Sequence, residues 1–142
     1  MHFRKILPNT ADHRAMIAFR VKTLLEPIGV PASYIVPEKE ANDVLIGAYD
    51  GEELIGCCIL TGLDKELVQL RQMAVQKDRQ GQHIGAAIIS FAEQAARELG
   101  YSRLMMHARD PVIGFYEKCG YSIKGEQFFE VGLGHHRMEK KL

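Results

Sequence analysis

Leu70-Arg71-Gln72-Met73-Ala74-Val75, carried through a polar turn into Gln80-Gly81-Gln82-His83-Ile84-Gly85-Ala86, is the stretch on which the reading of this chain rests. Its first half closes an apolar run over 66–75 that reads as a strand, and its second half opens the clearest helix in the sequence. Ile84, Ala87, Ile88, Phe91, Ala92, Ala95 and Leu99 share one helical face, Glu93 and Arg97 form an exposed i,i+4 pair, and Gly100 supplies a left-handed stop. A helix start leaves N–H groups unpaired and aims the positive end of its dipole at whatever lies beyond. The glycines support two readings: a tight strand-to-helix turn, or close approach of bare backbone to a phosphate. A Walker-type loop is disfavoured because no Gly-Lys-Ser/Thr follows, and the G-x-G-x-x-G fingerprint is absent.

Upstream, apolar runs over 44–49 and 54–60 around Asp50-Gly51 predict an antiparallel hairpin, and residues 3–7 a short first strand. Asn9 or Thr10 caps a helix that runs to about Glu26, with Ile17, Val21, Leu24, Leu25 and Ile28 as its apolar stripe and Arg20 at the border of that stripe. Residues 29–42, with Pro31 and Pro37, read as a loop or a short second helix. Downstream come a strand over 103–108, a short helix from Pro111 to about Cys119-Gly120, and two strands over 121–130 and 135–141. The order predicts an α/β (α+β) protein with a mixed, mostly antiparallel central sheet flanked by helices, forming one domain over 1–142.

Eighteen basic residues balance 18 acidic ones, so no global field attracts nucleic acid, and the basic cluster 137–141, broken by Glu139, reads as a solvated strand end. Cys57, Cys58 and Cys119 lack metal-ligand spacing. They read as reduced core thiols, with the adjacent pair pointing to opposite faces of a strand. No metal is expected. Without an apolar run of membrane-spanning length or a leader, the expectation is a cytoplasmic protein with no membrane partner.

Residues 70–75 and 80–85 together resemble motif A of the GNAT (GCN5-related) N-acetyltransferases, written Q/R-x-x-G-x-G/A, with Gln80 and Gly85 matching and His83 in place of the middle glycine. Phe115-Tyr116-Glu117-Lys118-Cys119-Gly120-Tyr121 is similar to motif B of the same family, and the two occur in the family's order. The resemblance covers about Val44 to the C-terminus. It implies the GNAT acyl-CoA N-acyltransferase fold, in which the strand before the phosphate loop splays from its parallel neighbour. Acetyl-CoA is then the implied co-substrate, its pantetheine arm pairing with the open strand edge at Met73, Ala74 and Val75. Its pyrophosphate would lie on the backbone of Gln80, Gly81, Gln82, His83, Ile84, Gly85 and Ala86. Tyr116 matches the tyrosine that contacts the cofactor and protonates the departing thiolate in many members. Direct attack of the amine in a ternary complex is implied, with Cys119 a packed thiol.

Gly132-Leu133-Gly134-His135-His136-Arg137-Met138 resembles the Gly-Ile-Pro-His-x-x-Met segment of a small bacterial branch that includes the glyphosate N-acetyltransferases. The resemblance makes His135 the base, with Gly134 standing where the branch has proline; His136 points the other way along an extended strand. By the same resemblance Arg20, Arg71 and Arg109 bind the acidic end of the acceptor, a role suited to guanidinium. The expected acceptor is a small, amino-acid-like primary amine bearing an acidic group. A protein or peptide acceptor and a non-catalytic acyl-CoA sensor are the competing readings, and a homodimer is compatible with all of them.

Overall fold

The computed structural model describes residues 1–142 as seven strands, β1 (His2–Ile6), β2 (Val44–Asp50), β3 (Glu53–Gly62), β4 (Leu67–Val75), β5 (Arg103–Arg109), β6 (Ser122–Glu130) and β7 (Leu133–Lys141), and three α-helices, α1 (Ala11–Arg20), α2 (Ile84–Glu98) and α3 (Ile113–Lys118). The strands form one sheet in the order β1-β2-β3-β4-β5-β7-β6. Every neighbouring pair is antiparallel except β4 and β5, which are joined by the crossover through α2. The expected mixed, mostly antiparallel sheet is present, and no helix is long and apolar enough to cross a membrane.

Strand alternation sorts side chains between two cores, one on each face of the sheet. Cys58, Leu70, Leu104, Met106 and Met138 join Ile84, Ile88 and Ala92 of α2 and Tyr116 of α3 in the larger core. Cys57, Ile59 and Ala74 pack against Met16 of α1 in the smaller one. Cys57 and Cys58 therefore do point to opposite faces, and burial pushes both thiols up, Cys57 to about 12.

Three helix readings change. Thr10 is the N-cap of α1, its hydroxyl accepting from the His13 N–H at 3.2 Å. However, the α-helix stops at Arg20 and continues as a π turn over Val21–Leu25 and a 3₁₀ turn over Glu26–Ile28. Pro27 has no N–H for the ladder, and its ring would press on the preceding turn, so the chain widens instead of continuing. The buried face of α1 is His13, Met16 and Arg20, while Ile17 and Val21 are only half-buried. Residues 29–42 hold two 3₁₀ turns, Ala32–Tyr34 and Pro37–Glu40, in place of a second α-helix.

On α2 the buried face includes Ile89 and Ala96, and Leu99 lies exposed. Glu93 is buried, accepting from Tyr121 Oη at 2.8 Å and Lys140 Nζ at 2.9 Å, so it does not form the expected surface pair with Arg97. The tail likewise differs from a solvated strand end: β7 lies inside the sheet between β5 and β6, and Lys140 reaches back across the face to Glu93 and the Cys119 carbonyl.

Candidate active site

The parallel pairing of β4 and β5 runs only from Leu67↔Arg103 to Leu70↔Met106. Beyond it β5 stays paired with β7 as far as Arg109↔His135, while Arg71–Val75 of β4 pair only with β3. The two strands thus part at their C-terminal ends, and the β4 edge there offers unpaired backbone groups facing a slot. Such a crevice at the carboxyl end of parallel strands is where open α/β sheets place ligands.

On the β3 side of the same stretch, Gln72 and Met73 together face Cys58, and Gln72 takes a left-handed φ of 52°. This is a β-bulge, which rotates the local peptides out of the regular ladder. Nothing in the side-chain chemistry of Gln72 announces it.

At the foot of the slot the turn into α2 holds Gly81 at φ 84° and His83 at φ 62°. His83 occupies a left-handed state that glycine would adopt without strain, and it is the N-cap of α2 with no side-chain cap. The first-turn N–H groups of Ile84, Gly85 and Ala86 therefore carry no capping partner and remain available to an anion. Gly81 has no atom within 4 Å of where a Cβ would sit, so its backbone is open. Gly85 differs: a Cβ there would meet Met73 Cε and Phe115 Cζ, each at 3.2 Å, so its small size serves packing between β4 and α3. Gln80 lies exposed with its side-chain amide on the Val75 carbonyl at 3.3 Å, Gln82 is exposed, and the Ile84 side chain lies in the larger core. These backbone groups fit the extended arm and pyrophosphate of an acyl-CoA.

Tyr116 enters from the α3 side. It is 8% exposed, stacks edge-on against Phe115 and Tyr121, and its hydroxyl meets the Met73 sulfur at 3.7 Å. Burial raises its phenol above the ordinary value, with Cys58 and Cys119 adding to the rise. Cys119 is half-buried at the end of α3, and burial pushes its thiol up, as a packed thiol requires.

His135 sits on the opposite face of the sheet. It is 5% exposed, with its ring stacked on Phe128 at 5.7 Å and held by strands on both sides. Its Nδ1 lies 2.8 Å from the Leu133 carbonyl, a pairing that requires Nδ1–H as donor, so that in the neutral ring the lone pair is on Nε2. Flanking strands thus fix this histidine without the branch's proline. A Cβ on Gly134 would lie 2.5 Å from Asp110 Oδ2 and 2.7 Å from Gln127 Nε2, so a larger residue there would displace these two side-chain ends. His136 points to the other face, onto Asp110 Oδ1 at 2.7 Å. Beyond His135 the sequence showed no sign of its neighbours Glu130, whose Oε1 lies 4.0 Å from His135 Nε2, and His107, 2.9 Å from Glu130 Oε2.

The three arginines separate. Arg109 is exposed, lies across from His135 in the β5–β7 register, and makes no side-chain hydrogen bond or ion pair. Arg71, just past the last parallel pair, is partly exposed, donating to Thr61 Oγ1 at 3.3 Å with Asp43 Oδ2 at 3.8 Å. Arg71 also lines a cavity with Tyr34, Val36 and Lys39. Arg20 is 1% exposed, and its fork is bidentate to Glu40, with Nε donating to Gln72 Oε1 at 3.3 Å. That geometry pairs Arg20 within the protein, although Arg20 also lines the cavity that Arg71 lines. His13 Nε2 joins the same carboxylate at 3.0 Å. Neither Glu40 nor His13 stands out in the sequence, because an isolated Glu in a charged run reads as surface.

The profile of the acetyltransferase (GNAT) family matches residues 14–121, well over half of the chain. The Bacillus subtilis uncharacterized N-acetyltransferase YjcF is 29% identical over 125 residues, covering 85% of this chain and 86% of its own. Among solved structures, an aminoglycoside 6′-N-acetyltransferase complexed with coenzyme A matches 99% of this chain and 97% of its own, with a TM-score of 0.81 at 16% identity. A GNAT family acetyltransferase from Elizabethkingia anophelis with acetyl-CoA bound matches 99% and 97%, with a TM-score of 0.75 at 18% identity. The structural likenesses bear on the fold. The profile match takes in the splayed strand, the left-handed turn and the helix behind it, and on that ground the chain belongs to the acetyltransferase (GNAT) family, as an acetyl-CoA-dependent N-acetyltransferase.

Proposed function

We propose that this enzyme acetylates a small primary amine carrying an acidic group, by direct attack within a ternary complex. The observation that carries the reading is the division of groups across the split between β4 and β5. Tyr116 stands on the α2 and α3 side, while His135 and Arg109 share the other face. Arg71, at the point where the strands part, lines the cavity on that second side.

In this reading the backbone of Met73, Ala74 and Val75 pairs with the pantetheine arm, and the N–H groups from Gly81 to Ala86 hold the pyrophosphate. Acetyl-CoA supplies the activated acyl group. His135 Nε2 takes the proton that the acceptor amine must lose, since the ammonium form has no lone pair. Tyr116 returns a proton to the departing thiolate. Arg71 and Arg109 supply the charge that draws an acidic acceptor, as planar forks for a carboxylate or phosphonate. Arg20 is left out of the acceptor contacts.

The test is release of CoA thiol across a panel of amines: aspartate, glutamate and aminophosphonates on one side, unmodified peptides and neutral polyamines on the other. Turnover with the acidic amines, and acceptor KM values raised about tenfold or more in Arg71→Ala and Arg109→Ala at constant acetyl-CoA KM, is the expected outcome. Turnover on peptides alone, or unchanged acceptor KM in both variants, would overturn it.

A further inference from the structure

Gln72 is held at two points. Its side-chain oxygen accepts from Arg20 Nε at 3.3 Å, and its main-chain carbonyl accepts from the Cys57 thiol at 3.6 Å. Arg20 cannot swing away, because Glu40 grips it with two hydrogen bonds and His13 steadies Glu40. His13 is set in turn by the Asn9 N–H donating to its Nδ1 at 3.1 Å, which leaves Nε2–H as the donor to Glu40. Three stretches of chain, around Arg20, Glu40 and Cys57, thus hold one left-handed residue, two of them in direct contact with it. A non-glycine residue stays in that conformation only where its surroundings over-determine it.

Cys57 belongs to the smaller core, on the α1 face, so a carbonyl bonded to its thiol has turned out of the sheet plane toward α1. In a trans peptide the carbonyl and the following N–H point opposite ways, and no peptide in this chain is cis. The Met73 N–H therefore faces the other layer, where the Tyr116 hydroxyl meets the Met73 sulfur.

Polarising the thioester carbonyl through the backbone of this strand belongs to the acetyl-transfer reaction of the family; we propose that in this chain Arg20, Gln72 and Cys57 are the positioning residues that hold the Gln72–Met73 peptide rotated and so preset the Met73 N–H for that role. The inference rests on the acetyl-CoA placement proposed above. A donor fixed in advance stabilises the charge developing on that oxygen without reorganising during the reaction. Released from either clamp, the peptide is free to rotate within the bulge, and its N–H is no longer held in one direction.

The experiment uses acetyl-CoA labelled with ¹³C at the thioester carbonyl, bound to the full-length protein without acceptor, with the carbonyl stretch read by infrared difference spectroscopy. In the wild type the stretch falls below that of free acetyl-CoA. Gln72→Ala and Cys57→Ala return it at least halfway to the free value at unchanged affinity, and lower kcat about tenfold with acceptor KM unchanged. Gln72→Glu keeps an oxygen for Arg20 and Cys57→Ser keeps a donor, so both retain the wild-type stretch. A wild-type frequency in the bound alanine variants overturns the inference, as does a bound wild type with no displacement. Failure of the wild type to bind acetyl-CoA overturns the cofactor placement itself. If Cys57→Ala does not fold, Gln72→Ala, at a half-buried position that leaves the Arg20–Glu40 pair intact, gives the same reading.

Discussion

In the proposed reaction, Tyr116 and His135 would be readied by different means. The tyrosine depends on burial: a desolvated phenol disfavours its anion and stays protonated, the state a proton donor needs before the thiolate forms. The histidine depends on one carbonyl, which takes Nδ1–H as its donor and so selects the neutral tautomer with the lone pair on Nε2. Tyr116→Phe should lower kcat by about 100-fold while acetyl-CoA binding holds, checked by steady-state rates beside equilibrium binding. Because the phenol is raised, no alkaline limb of the wild-type rate profile at or below its ordinary value of 10.0 should disappear in that variant. Motif position alone pointed to both residues. Their burial was not readable, since it depends on which strands flank the tail. Gln72 and Glu40 were invisible for a related reason: their roles arise from contacts between residues 20, 40, 57 and 72, which no local pattern joins.

At the scale of the element, β6 and β7 are joined by a two-residue turn in which Val131 has φ 47° and Gly132 φ 76°. Both positions of such a hairpin turn need positive φ, which suits Asn-Gly and strains a β-branched residue. Val131 is largely exposed, so little packing repays the strain. Val131→Asn should stabilise the protein by about 1 kcal/mol, seen as a rise in Tm of roughly 3 °C with kcat unchanged. Most elements were legible from pattern. The period of α2, the hairpin at Asp50-Gly51 and the stop at Gly100 are local signals that the tertiary structure leaves in place. Where packing overrides local preference the reading failed. In α1 the apolar residues Ile17 and Val21 are half-exposed while Arg20 is buried, because an ion pair with Glu40 lets a charge occupy the core side.

Across the whole molecule, the cluster of Arg20, Glu40 and His13 ties stability to pH. Burial alone would raise the Glu40 carboxyl, but hydrogen bonds from Arg20 and His13 outweigh it and hold the carboxyl below its ordinary value of 4.5. The unfolded chain therefore binds the proton first. The cluster's contribution is complete above about pH 4.5 and is lost as pH falls through the lower folded value. Asp43 has the opposite sign: burial raises it against the pull of Thr61 and Arg71, so its ionised form detracts from stability near neutrality and protonation relieves that on acidification. Glu40→Gln should cost about 3 kcal/mol at pH 7, since it leaves Arg20 buried without its counter-charge. The difference from wild type should shrink on going to pH 4 and below, as measured by urea denaturation; a constant difference would mean that Glu40 acts through packing alone.

The same cluster bears on how such enzymes can be recombined. Residues 13 and 20 lie on the first helix and residue 40 on the connector that follows, yet they form a single electrostatic unit. A chimera whose crossover falls between residues 20 and 40 would inherit one parent's guanidinium and the other's connector, so the crossover that keeps charge matched lies either before His13 or after Glu40. The opening third of the chain is thus exchangeable as a block and not helix by helix, even though the turn into α2 and strand β7 lie far downstream.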